Sequence, residues 1–288
     1  IVRSIEAPFG AVTGLAFDGT YLWAADRSVD EIYMIDPHRG LVVAIMQSPG
    51  PGPWGLAWDG SCLWSADYQE RRLYCVETQG DEPLHRLGSR RLQVQLTVHF
   101  FSQGPDPVTE ADFYFAVPAD RYNQKILEDI RFSKEDVEHL EDRWGQKVIG
   151  YKERDIAPGT VLELSMTSEV ELYDSRFWID PLKVRPLSTL AEDIRIQYLA
   201  DGRKFRLNHP VIKRAAKEAV GDETNPYWMA RSIYQYVIEK FDYRLSGGWQ
   251  AAPLLLERGT GSCSEYSFVF IALCRAAGIP ARYVGGIV

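Results

Sequence analysis

The chain has 288 residues, 45% of them hydrophobic, 25% charged and 12% aromatic, and its 40 acidic against 32 basic side chains leave a net charge of −8. That apolar fraction excludes a disordered or collagen-like chain, and the length accommodates two or three domains with proper cores. The acidic balance gives no overall attraction for nucleic acid or anionic lipid, and no apolar run reaches the ~18–20 residues of a membrane span.

The chain opens at Ile1 with no Met, basic n-region or signal-peptide core, and it closes in the apolar run Tyr283–Val288, which reads as a strand. The expectation is a fragment cut at both ends.

Residues 14–26, Gly-Leu-Ala-Phe-Asp-Gly-Thr-Tyr-Leu-Trp-Ala-Ala-Asp, recur 41 residues later as Gly-Leu-Ala-Trp-Asp-Gly-Ser-Cys-Leu-Trp-Ser-Ala-Asp. The offset persists outward: Ile32–Asp36 falls on Leu73–Glu77, and Ile1-Val2 falls on Val42-Val43. Short alternating strands parted by Asp-Gly and Pro-Gly turns at a period of about 40–45 residues are the pattern of propeller blades. The repeats resemble those of NHL-like propellers and lack the Gly-His…Trp-Asp signature of the WD40 type. Two copies close no ring, so further blades are expected before Ile1 or from elsewhere. Asp18 and Asp59 each precede a Gly and read as turn residues rather than cation ligands. Trp23 and Trp64, placed identically by the repeat, read as core. Cys62 and Cys75 fit two buried free thiols better than a cross-hairpin disulfide, and four cysteines are too few for a disulfide framework. The segment 1–87 therefore reads as scaffold, with a protein or glycan as its possible ligand.

From 88 to 197 the texture is that of a β-sandwich. Leu92, Val94, Leu96, Val98 and Phe100 alternate with polar residues, and Phe113–Val117, Lys147–Arg154, Val161–Met166 and Glu169–Tyr173 add strands. Ser133-Lys134-Glu135-Asp136 looks like a capped helix start, with Val137 and Leu140 on one face. His99 and His139 have no ligand-spaced partners.

After Leu199 the pattern becomes helical. Pro210 opens one helix and Asn225-Pro226 a second, with Ile233, Tyr234, Val237, Ile238 and Phe241 on one face. A short strand near 241–244, a Gly-Gly-Trp-Gln loop and an apolar turn at Leu254–Leu256 follow. Gly261 then frees a tight turn, Ser262 reads as an N-cap, and Cys263 falls in the first turn of a helix that stops at Gly278 and Pro280. Unpaired N–H groups and the helix dipole there favour a thiolate nucleophile and can hold an oxyanion. The bland alternative is a small apolar residue packed on a sheet. Cys274, three turns deeper on nearly the same face, reads as core.

Leu256-Glu257-Arg258-Gly259-Thr260-Gly261-Ser262-Cys263-Ser264-Glu265-Tyr266, continued by Arg275-Ala276-Ala277-Gly278-Ile279-Pro280-Ala281-Arg282, resembles the core of the transglutaminase-like superfamily. The resemblance spans about 198–288. It implies a papain-like α+β fold and a Cys-His-Asp triad in which Cys263 attacks a peptide or carboxamide carbonyl and forms a thioester. It also implies an upstream aromatic or amide residue assisting the oxyanion; Tyr243 is preferred over Trp249 and Gln250, with cleft wall or core packing as the plainer role of all three. Arg275 and Arg282 read as structural, and Glu265 as a simple complement to the dipole. The resemblance places the His and Asp on later strands. All five histidines precede Cys263, and His209, before a helix, is in the wrong chain order.

The sequence thus predicts a multidomain protein: propeller-like repeats at 1–87, a β-sandwich at 88–197 and a truncated transglutaminase-like core at 198–288. The function expected of the intact protein is acyl transfer on protein or peptide amides, hydrolytic rather than crosslinking, with this segment inactive by itself. A non-catalytic binding scaffold and a redox or regulatory thiol are the competing readings. No cofactor or metal site is supported, because Cys-x-x-Cys and paired-His spacings are missing, and Gly247-Gly248 and Gly285-Gly286 lack a phosphate-loop context. The domain mixture suggests, by analogy, an extracytoplasmic bacterial setting.

Overall fold

The computed structural model describes residues 2–78, 82–142, 144–245 and 248–286. They gather into two compact units, one of residues 1–76 with 179–288 and one of residues 77–178.

In the first unit the leading repeat is a four-stranded antiparallel meander, β1 (Val12–Phe17), β2 (Leu22–Asp26), β3 (Glu31–Asp36) and β4 (Leu41–Gln47). The second repeat forms three strands, β5 (Pro53–Trp58), β6 (Leu63–Asp67) and β7 (Arg72–Val76). Both sheets are open. Asp18 accepts from the N–H groups of Thr20 and Tyr21 and from Trp23 Nε1 at 2.8 Å. Asp59 accepts likewise from Ser61, Cys62 and, at 2.7 Å, Trp64 Nε1. Each carboxylate thus closes its own turn and tethers an indole across it. The two tryptophans nevertheless part company: Trp23 is 1% exposed and Trp64 37%, because the second sheet covers the Trp23 face of the first, whereas no strand among the described residues covers the Trp64 face of the second. The thiol reading is likewise corrected. Cys62 and Cys75 form a disulfide, Cα atoms 5.9 Å apart, since the register that pairs Trp64 with Cys75 sets Cys62 diagonally opposite its partner.

The second unit is built on two long antiparallel strands, β8 (Leu84–Phe101) and β14 (Val161–Phe177), flanked by β10 (Gln124–Ile126) and β11 (Arg131–Phe132). A second sheet orders β12 (Glu138–Glu141), β13 (Lys147–Ile156) and β9 (Val108–Ala116). Phe115, Ile149 and Tyr151 from one sheet and Leu164 and Met166 from the other make a single core, and Tyr151 Oη donates across it to the Ser165 carbonyl at 2.9 Å. The helix expected from Ser133 does not form. Val137 is drawn into that core, and Glu138–Glu141 pairs with β13, where Glu138 meets Lys152 at 3.0 Å. Cross-strand pairing here overrides a local capping pattern.

Helices complete the first unit: α1 (Glu192–Tyr198), α2 (Pro210–Val220), α3 (Pro226–Lys240), α4 (Ala252–Arg258) and α5 (Cys263–Ala276), with two strand pieces, β15 (Asp242–Tyr243) and β16 (Thr260–Gly261). Asn225 caps α3 through its side chain. Ile233, Val237 and Phe241 face Ile212 of α2, Leu255 of α4 and Val269 of α5 in one core, whereas Tyr234 and Ile238, expected on that face, are exposed. Arg39 ties the first sheet to this part, reaching Glu223 at 2.6 Å and lying 4.4 Å over the Trp228 ring. The expected closing strand is not seen in Tyr283–Gly286, which pairs with no strand among the described residues; Ile287 and Val288, and Gly247 of the glycine loop, lie outside them.

Candidate active site

The chain reaches Cys263 through a short parallel pairing. β15 runs beside β16 with Tyr243 opposite Gly261, and Arg244 N–H donates to the Gly261 carbonyl at 2.9 Å. A side chain at Gly261 would crowd the Glu265 Cβ at 3.1 Å, so glycine lets the strand press against the helix it feeds. Ser262 is the N-cap, in extended backbone, and Cys263 is the first residue of α5. From Phe268 to Arg275 that helix is almost wholly buried, but Cys263 at its start is exposed. Cys274 is buried, and burial pushes its thiol up to about 12.

Glu265 organises this end of the helix, a role beyond the dipole complement read from sequence. It is 0% exposed, yet its carboxylate accepts from Ser262 N–H at 3.0 Å, from Gln250 N–H at 3.2 Å and from Arg258 Nη2 at 3.0 Å. Burial pushes the Glu265 carboxyl up, but those two backbone N–H groups and the Arg258 charge outweigh it and hold the group below the usual carboxylate range. Arg258 also donates to the Thr260 carbonyl through Nε and Nη2. One buried anion thereby joins α4, β16, the N-cap and the loop at Gln250. The sequence reading missed this role; its one signal was the Ser-x-x-Glu spacing of a capping box, and nothing local announced the burial or the Arg258 and Gln250 partners.

The three oxyanion candidates converge on the same end of α5. Tyr243 is 60% exposed, with its ring 6.1 Å from that of Tyr266. The Gln250 backbone is bound to Glu265, and Trp249 packs 5.5 Å from Phe268 and 6.4 Å from Tyr283. Tyr283 Oη lies 3.2 Å from Ser264 Oγ, beside Cys263. Arg275 is buried and fastens the segment after the helix, bonding the Ala281 and Ala200 carbonyls, and Arg282 lies 5.9 Å over the Tyr198 ring. His209 is engaged elsewhere, its Nδ1 accepting from Val211 N–H at the start of α2. His85, His99 and His139 lie on strands of the other unit. Among the described residues no cluster of three or more metal-ligating side chains forms, and no helix is long and apolar enough to cross a membrane.

Residues 213–288, which hold this helix and its approach, match the Transglutaminase-like superfamily. That segment is transglutaminase-like. A Haemophilus influenzae protein of uncharacterized role is 33% identical over 103 residues, which cover 32% of this chain and 28% of that one. The chain therefore aligns with little more than a quarter of that relative's length. Among solved structures, a candidate cysteine protease from Cytophaga hutchinsonii shares the fold over 68% of this chain and 67% of that one, with a TM-score of 0.54 and 20% identity.

Proposed function

We propose that the intact protein is a cysteine acyl-transfer enzyme acting on peptide or carboxamide bonds of a protein or peptide substrate, with Cys263 as nucleophile. The observation that carries this reading is the exposure of Cys263 at the first position of a helix that is largely buried from Phe268 to Arg275, inside the transglutaminase-like segment. In the proposed reaction Sγ bonds to the carbonyl carbon, the amine leaves with a proton delivered by a general acid, and water cleaves the resulting thioester. Tyr243, exposed and in register with Gly261, is the proposed side-chain aid to the oxyanion. The His that serves as base and acid, and the Asp that orients it, are assigned to sequence C-terminal to residue 288, because His209 is committed to a helix cap.

Hydrolysis is preferred to crosslinking, a choice supported by the name of the Cytophaga hutchinsonii neighbour. The repeat sheets, read as propeller blades, and the two-sheet unit, read as a sandwich, serve as scaffold, and the Cys62–Cys75 bond supports an oxidising, extracytoplasmic setting.

The test is amide hydrolysis by a longer chain that carries a downstream His and Asp, with a primary amine added to report crosslinking. Cys263→Ala should abolish turnover, and water should outcompete the amine. Residues 1–288 alone should turn over nothing; thiol-dependent turnover by them would overturn the placement of the base. The absence of a histidine bonded to Cys263 among the described residues keeps a second reading in view, a non-catalytic binding protein, which inactivity of the longer chain would favour.

A further inference from the structure

The two repeat sheets differ by one strand. β4 has no counterpart after β7, which is left as an unpaired edge among the described residues. Shifted back by 41 residues, β4 falls on the start of the chain, Val43, Met46 and Gln47 landing on Val2, Ile5 and Glu6. Val2–Glu6 forms no strand, and all of it except Ile5 is exposed. The molecule thus carries an edge lacking its fourth strand and, separately, the segment whose repeat position is that fourth strand.

The sheet faces agree. Trp23 and Ile32 lie on the face of the first sheet that β5 covers, so tightly that a Cβ on Gly14 would sit 2.7 Å from the Leu56 nitrogen. Their equivalents on the open face of the second sheet, Trp64 and Leu73, are 37% and 71% exposed against 1% and 0%. At the other end of the stack Leu15 and Phe17 are exposed, whereas their equivalents Leu56 and Trp58 are half-buried. The two ends of the stack display the two halves of its own internal interface.

We propose that a second copy of this chain docks head to tail on the first. Val2–Glu6 of the incoming copy adds antiparallel to β7, and its Leu15 and Phe17 cover Trp64 and Leu73. The β3–β4 register, Ile32 opposite Met46 and Tyr33 opposite Ile45, transfers to Leu73 opposite Ile5 and Tyr74 opposite Ser4. An edge strand presents unpaired N–H and C=O groups to just such an added strand, and Ile5 already packs on the core of its own sheet, so strand and sheet arrive together. The contact is heterologous, so a dimer keeps one free edge on one copy and one free strand on the other, and growth continues until a ring closes.

Sedimentation velocity over a rising concentration series tests this. The unaltered chain should exceed monomer mass as concentration rises. Leu73→Glu, or Ala57→Arg on the same exposed face, should leave only monomer, as should Arg3→Pro with Ser4→Pro, which strips N–H donors from the added strand. An equimolar mixture of Leu73→Glu with the double proline variant retains one working edge and one working strand, and should give dimers and nothing larger. Near-UV circular dichroism confirms that each variant is folded before it is scored. An unaltered chain that stays monomeric at every concentration, folded variants that assemble as it does, or a mixture that stays monomeric would each overturn the proposal.

Discussion

The Glu265 carboxylate accepts the backbone N–H of Ser262 at 3.0 Å, spanning the residue that carries the exposed thiol. Cys263 is therefore held between the two partners of one buried hydrogen bond, and its backbone position depends on an ionised group that solvent does not reach. Glu265→Ala should cost about 2–3 kcal/mol by leaving Arg258 and two N–H groups without their acceptor, and it should slow alkylation or acylation of Cys263. Chemical denaturation gives the first quantity and timed mass spectrometry the second.

The same group sets an acid dependence. Its carboxyl is held below its unfolded value, so its contribution to stability is complete above the ordinary glutamate range and fades as pH falls through ~4 toward the folded value. Glu265→Gln should be less stable at neutral pH and should show a shallower loss between about pH 5 and 3. A melting-temperature series against pH checks this, and parallel acid limbs for the two proteins would contradict it.

Cys263 and Cys274 should separate cleanly under iodoacetamide. In the folded protein Cys263 is labelled, while Cys274, buried and with its thiol pushed up to about 12, is protected. In denaturant without reductant both react, and Cys62 and Cys75 still do not, because they are bonded to each other. Peptide mapping of the labelled chain reads all four positions.

Asp18 and Asp59 occupy one repeat position and both accept from two backbone N–H groups and an indole N–H, but their removal should differ in cost. Asp18→Ala takes an acceptor from the buried Trp23 indole and should destabilise by about 1–2 kcal/mol. Trp64 is partly exposed, so water can replace Asp59, and Asp59→Ala should cost clearly less than Asp18→Ala. Denaturant midpoints for the two variants decide the comparison.

The Cys62–Cys75 bond closes a short loop on a sheet whose outer face is open. Its removal by Cys62→Ser with Cys75→Ser should cost about 2–3 kcal/mol, close to the chain-entropy value for a loop of this length. The effect should appear as an early loss of Trp64 and Trp54 fluorescence change during unfolding, with the helical part of the chain less affected.

Features that depend on neighbours along the chain were legible from sequence. The 41-residue repeat, the caps of α3 and α5, the alternation of β8 and the position of Cys263 at a helix start all follow from turn chemistry, capping and periodicity over a few residues. What only the tertiary structure decided depends on partners far away in sequence. Trp23 and Trp64 have the same local sequence and differ in exposure because the second sheet covers the Trp23 face and no strand among the described residues covers the Trp64 face. Glu138–Glu141 is a strand because β13 supplies a ladder stronger than its own helix signal, and Glu265 is a buried brace because Arg258 and the Gln250 backbone are folded against it. Local pattern determines which element a segment favours; burial and pairing, which are properties of the assembled chain, determine what its side chains then do.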